Sequence, residues 1–244
     1  MLRFILAVLF AVLYLIVGII FQLVVWIIGK FSTKKRDRFA RAWVNTGLNG
    51  VAFVSGVKTD VIGEENIPKG RPVVYMANHR SFFDAILLYP RIHEDASIMA
   101  KIEMLHVPLL SSWMKNVHCL FVDRNDTKQG LETVMKGIDY VSNGLSMLIF
   151  PEGTRNHEEG TIMPFHNGSF KIAERPGAPV VPVTIVNTGR VWEDHFPKVT
   201  PQHVIIEFGK PIETAGLKPA ERKLIPDQVR NVMIETYEKN RKLI

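Results

Sequence analysis

The chain has 244 residues, room for one large domain or two small ones, and 47% of them are hydrophobic, enough for a sizeable core. Its single cysteine, Cys119, excludes an intrachain disulfide. The formal net charge of +6 and sequence pI of about 9.4 point to an anionic partner: nucleic acid, a phosphorylated substrate or an acidic membrane surface.

The N-terminus narrows that choice. From Phe4 to Gly29 the chain is apolar, with Gln22 the one strongly polar residue. As a helix this run measures about 39 Å, more than the roughly 30 Å hydrocarbon core, so it can span a bilayer with tilt, or break near Gly18 and lie partly in one leaflet. It is too long for the apolar stretch of a signal peptide, and no A-x-A cleavage site follows. The next stretch, KKRDRFAR at 34–41, carries five basic side chains and one acid, a flank that stays cytoplasmic and suits anionic lipid headgroups. Phe39, Trp43, Leu48, Val51 and Val54 then repeat at loosely helical spacing, as in a second helix packed on the first or lying at the interface. Residues 1–56 therefore read as a membrane anchor with a basic juxtamembrane helix, and residues 57–244 as one further domain.

In that domain short β-rich runs alternate with helical stretches. Strands are expected at 57–63, 73–77, 97–101, 119–122, 145–150, 179–186 and 204–208. Helices are expected at 81–89, at 127–144 with Leu131, Val134, Met135, Ile138 and Val141 on one side, and from about Pro226 through Val229, Val232, Met233 and Tyr237. Several strands are apolar along their whole length, which requires cover on both faces. The expected class is α/β, a mixed, largely buried sheet flanked by helices.

Two polar clusters sit where strands end. In NHRSFFDA (78–85), His79 precedes Asp84 by five residues. An ideal helix would splay them by about 140°, so they can meet only if His79 lies in the loop before a helix and Asp84 in its first turns. A carboxylate on one ring nitrogen would fix the tautomer and leave the other nitrogen as a base. Ser81 and Asp84 also form S-x-x-D, a capping-box pattern, and the two roles compete for one carboxylate. No G-x-S-x-G elbow and no H-E-x-x-H motif is present, and Cys119 lies in an apolar strand. A base without a protein nucleophile or metal leaves the substrate's own hydroxyl as the attacker. In IFPEGTRNHEEG (149–160), Gly153 permits a turn with positive φ that exposes backbone N–H groups beside Arg155, an arrangement suited to a phosphate. Glu152 there can pair with Arg155 or accept a substrate hydroxyl; the plainer alternative is a charged turn on the surface.

Together NHRSFFD, FVDR (121–124), FPEGTR (150–155) and VVPVTI (180–185) resemble, in order and spacing, the motif blocks of the glycerolipid acyltransferases, particularly the bacterial 1-acylglycerol-3-phosphate acyltransferases. The resemblance runs from about Val57 to Phe208. It implies that His79 deprotonates the sn-2 hydroxyl of lysophosphatidic acid, that Asp84 orients His79, and that the acyl group comes from acyl-CoA or acyl carrier protein as co-substrate, with no metal or other cofactor. Arg124, Glu152, Gly153, Thr154 and Arg155 would bind the glycerol phosphate, Lys101 would lie near the site, and Pro182 would serve the donor or packing. Membrane lipids are the implied partners, nucleic acid is not, and the implied location is the cytoplasmic face of a bacterial inner membrane. Phe82, Phe83, Leu105, Leu109 and Trp113 can line an acyl groove or pack the core. His118 and His166 stand where relatives usually carry glycine and lysine. The alternatives are another glycerolipid acceptor, or a basic membrane-binding protein without catalysis.

Overall fold

The computed structural model describes residues 1–93 and 95–244. Helices α1 (Leu2–Gly29) and α2 (Thr33–Ser55) form a hairpin whose turn is fixed by the Ser32 hydroxyl accepting from Lys35 N at 3.3 Å. One face of α1 is aromatic and small. Tyr14 and Phe21 stack on Trp43 at 4.4 and 4.0 Å between ring centres. At Gly18 a Cβ would come within 2.8 Å of the Trp113 indole nitrogen. Gly18 thus serves close packing and does not break the helix, which runs through it without interruption. The opposite face, with Ile5, Leu9, Val12, Ile16, Ile20 and Leu23, is exposed.

The remaining elements are, in chain order, β1 (Lys58–Ile62), β2 (Val74–Ala77), α3 (Phe82–Leu88), β3 (Ala96–Lys101), α4 (Leu110–Asn116), β4 (Leu120–Val122), α5 (Thr127–Ser142), β5 (Ser146–Ile149), α6 (Lys171–Glu174), β6 (Val180–Val186), β7 (His203–Phe208), α7 (Pro219–Arg222) and α8 (Ile225–Asn240). They build a seven-stranded sheet in the order β1-β7-β6-β2-β5-β3-β4. The five strands from β6 to β4 are parallel, and β7 runs antiparallel to β6 while pairing in parallel with β1. This is the mixed sheet expected.

Its faces follow from alternation. Val73, Tyr75 and Ala77 point to a core shared with α2 and α3, whereas Val74 and Met76 point to a second core holding Val141 of α5, Ile172 of α6 and Val229 and Met233 of α8. The buried face of α5 is narrower than its hydrophobic pattern implies. Leu131 and Met135 are exposed, and the closest contact is at Gly137, where a Cβ would lie 2.8 Å from Ile172 Cδ1. Phe83 and Trp113 are core residues, at 4% and 2% exposure, and so do not line a groove; Phe82 stays open at 43%. Pro182 is buried inside β6.

The parallel ladder decides where chemistry can gather. The C-terminal ends of β2, β5, β6, β3 and β4 share one edge of the sheet, and the loops that leave them carry both polar clusters.

Candidate active site

The loop after β2 is fastened before it reaches α3. The Asn78 amide continues the ladder sideways, donating to Ile185 O at 2.9 Å and accepting from Ile185 N at 2.7 Å. His79 N donates to Glu152 Oε1 at 2.7 Å, and the imidazole stacks on Phe150 with ring centres 4.1 Å apart. Ser81 is extended, and the helix begins at Phe82. This brings Asp84 back beneath His79, with Nδ1 to Oδ2 at 2.9 Å.

Asp84 is fully buried and fills both roles that compete in the sequence. Oδ2 accepts from Ser81 N at 2.7 Å, the capping bond, and from Arg80 N at 2.6 Å as well as facing His79. Oδ1 accepts from the Thr188 hydroxyl at 2.5 Å. An ionised carboxylate has about four lone-pair sites, so one group can cap a helix and hold a ring. Being an acceptor only, it places the proton of neutral His79 on Nδ1 and leaves Nε2 with its lone pair.

The loop after β5 supplies the other half. Gly153 has φ of +71°, and a Cβ there would fall 2.8 Å from His166 Nε2. Glu152 is buried at 3% exposure and does not pair with Arg155. Its second oxygen accepts from Met163 N at 3.0 Å, so both are spent on backbone N–H groups. Arg155 instead meets Glu193, Nη1 to Oε1 at 3.2 Å, with its guanidinium 4.1 Å above the Phe82 ring. Glu193 Oε1 also accepts from Phe82 N at 2.9 Å and Oε2 from the Ser81 hydroxyl at 2.5 Å. Thr154 is exposed on the turn.

His79, Asp84, Glu152, Gly153 and Arg155 are thus drawn together. Lys101 and Arg124 lie on the same edge but two and three strands from β2 in the sheet order, about 10 and about 14 Å away. Lys101 Nζ pairs with Glu103 at 2.5 Å, and Arg124 is exposed. His118 belongs to the opposite edge, on Asp37 at 3.0 Å. Asn78, Thr188 and Glu193 escape the sequence reading. Only Asn78 has a signal there, its place inside the first motif.

The acyltransferase family's sequence model matches residues 58–186, which span β1 to β6 and both clusters. The chain belongs to that family. It is 31% identical over 183 residues to the 1-acyl-sn-glycerol-3-phosphate acyltransferase of Saccharomyces cerevisiae, covering 74% of this chain and 60% of that protein. The Borreliella burgdorferi protein of the same name is 28% identical over 186 residues, covering 76% and 74%. Against a chloroplastic relative from Brassica napus the match covers 45% of the relative's length. The fold matches the crystal structure of the 1-acyl-sn-glycerophosphate acyltransferase from Thermotoga maritima with a TM-score of 0.79, at 23% identity, over 98% of each chain.

In this acyltransferase burial pushes the Glu152 carboxyl above its ordinary value, outweighing the two N–H groups that favour its charge. A carboxyl whose folded pKa is raised stabilises the fold most below its unfolded value and loses that contribution as pH rises through the folded one. The stability of wild type relative to Glu152→Gln should therefore fall as pH rises above the ordinary glutamate value of about 4.3, read as the difference between their thermal melts. A difference that grows with pH would show the N–H groups to be dominant.

Proposed function

We propose that this acyltransferase moves a fatty acyl group from acyl-CoA or acyl carrier protein to the sn-2 hydroxyl of lysophosphatidic acid, giving phosphatidic acid. The observation that carries the reading is the contact of His79 Nδ1 with the fully buried, fully hydrogen-bonded Asp84. His79 Nε2 takes the hydroxyl proton as that oxygen attacks the thioester carbonyl. The C–S bond then breaks, and the imidazolium returns its proton to the leaving sulfur, releasing the free thiol of the carrier. Asp84 stays ionised and steadies the imidazolium. The thioester is a co-substrate, and the reading calls on no other cofactor.

Arg155 is the group we assign to the acceptor phosphate. Nη1 is spent on Glu193 and the ring of Phe82 sets its plane, so Nη2 and Nε remain to make charge-assisted hydrogen bonds. The Gly153-Thr154 turn borders it, and Arg124 adds positive potential along the edge, where the charge of Lys101 is met by Glu103. Glu152 holds the backbone of His79 and touches no substrate in this reading. Arg155→Ala should raise KM for phosphorylated acceptors roughly tenfold or more while kcat changes far less. An unchanged KM would move the phosphate elsewhere. A panel of lysophosphatidic acid, glycerol-3-phosphate and lysophosphatidylcholine tests the whole assignment; no preference for the first would overturn it.

We further infer that residues 1–56 anchor the enzyme in one leaflet on the cytoplasmic side. Phe4 stacks on Trp192 at 5.9 Å and Gln22 Oε1 accepts from Asn116 at 2.8 Å, so α1 lies along the catalytic domain between those points. They are about 27 Å apart along the helix, which a segment crossing the bilayer upright could not reconcile with a domain in water. The exposed apolar face would enter the acyl region, and Lys34 and Lys35 would meet anionic headgroups.

A further inference from the structure

Between β6 and β7, residues 187–200 form a strap over the start of α3. Its inward side chains each hold part of the site. Thr188 donates to Asp84, Glu193 binds Arg155, Ser81 and Phe82 N, and Asp194 pairs with Arg80 at 2.5 Å. Its outward side is of different character. Phe196 is 69% exposed. It contacts Trp192 at 5.7 Å, and Trp192 in turn touches Phe82 at 5.7 Å and stacks on Phe4 of α1. Arg190 and Lys198 flank these rings, exposed and, among the described residues, without an acidic partner.

We propose that this strap is a second membrane contact, in which Phe196, backed by the partly buried Trp192, seats in an anionic phospholipid surface beside α1 and thereby holds Glu193 on Arg155. The inference rests on the reading of α1 as lipid-facing and of Arg155 as the phosphate ligand. Continuity identifies the occupant. The Phe4–Trp192 stack sets the strap beside the N-terminal end of the helix whose outer face is apolar, and Phe196 is the exposed ring of the strap at that end. Charge agrees with it. The strap's two acids are both paired, Glu193 with Arg155 and Asp194 with Arg80, so the charge left unpaired on it is basic, which beside an exposed aromatic ring favours the headgroup boundary of an acidic bilayer. The strap then relays contact by a short path. Trp192 precedes Glu193 in the chain, and Glu193 is the group that fixes Arg155 Nη1.

The first test reads position without turnover. Phe196→Cys carries an environment-sensitive nitrobenzoxadiazole label, the native Cys119 being buried. On vesicles of phosphatidylcholine with phosphatidylglycerol the label should shift to the blue and be quenched by brominated lipid. No shift, with the protein still floating with the vesicles, would overturn the proposal, and an equal shift on pure phosphatidylcholine would overturn its anionic part. The second test reads coupling with a short-chain lysophosphatidic acid kept below its micelle concentration. Empty anionic vesicles should lower its KM for wild type by about tenfold, as expected for ordering that depends on one buried aromatic ring, and should leave Phe196→Asp unchanged. An equal response of the two proteins would show the strap and Arg155 to be uncoupled. A wild type that turns over no lysophosphatidic acid would instead remove the functional reading and leave the label result standing.

Discussion

Replacing His79 by alanine should lower kcat by about 10² to 10⁴-fold while vesicle binding and the melting temperature stay close to wild type. The size follows from the role: among the described residues His79 is the one imidazole facing Asp84. The selectivity follows from how the residue is held. Its loop is fixed by backbone and neighbouring groups, through His79 N on Glu152 and Asn78 on Ile185, and alanine keeps all of these bonds. What is lost is a ring stacked on Phe150 and one contact with Asp84, a carboxylate that still keeps three donors. Single-turnover assays with saturating donor and acceptor measure the chemical step directly. Full turnover in the variant would require another base, or none.

The class of fold was legible because the signals were local. Val73 to Ala77 and Val180 to Val186 are apolar without interruption, as a strand covered on both faces must be, and the structure buries them in the middle of the sheet. The spacing of His79 and Asp84 sets only a condition for their meeting, a loop followed by a helix start, and the structure meets that condition with Nδ1 to Oδ2 at 2.9 Å. What escaped were contacts between residues far apart in the chain. Thr188 reaches Asp84 across 104 positions and Glu193 reaches Ser81 across 112, and nothing near either residue marks it. The ion pair that sequence leaves open to Glu152 does not form, for a related reason. Beside Arg155 in sequence it looks like half of an ion pair, yet burial turns it toward the N–H groups of His79 and Met163. The short helix α4 has too few turns for a periodic pattern, and its one buried residue, Trp113, answers to α1 and α2.

Asp84 should separate charge from hydrogen bonding, because asparagine can take its place in only one sensible orientation. With Oδ1 where Oδ2 now lies, asparagine still accepts from Arg80 N, Ser81 N and His79 Nδ1, and its amide group faces the Thr188 hydroxyl, which can turn to accept. The reverse orientation would set an NH₂ against three donors and is excluded by their mutual repulsion. Asp84→Asn should therefore keep the cap and the tautomer, losing about 1 kcal/mol of stability or less. It should still lower kcat about 10² to 10³-fold, because a neutral amide does not stabilise the imidazolium. Asp84→Ala leaves buried donors unmet and a void, and should cost about 2 to 4 kcal/mol with at least as great a loss of turnover. Urea melts set beside kcat distinguish the cases. If asparagine and alanine destabilise equally, the carboxylate is held for its charge and the hydrogen bonds count for little. If Asp84→Asn keeps wild-type turnover, His79 needs no anionic partner to act as a base.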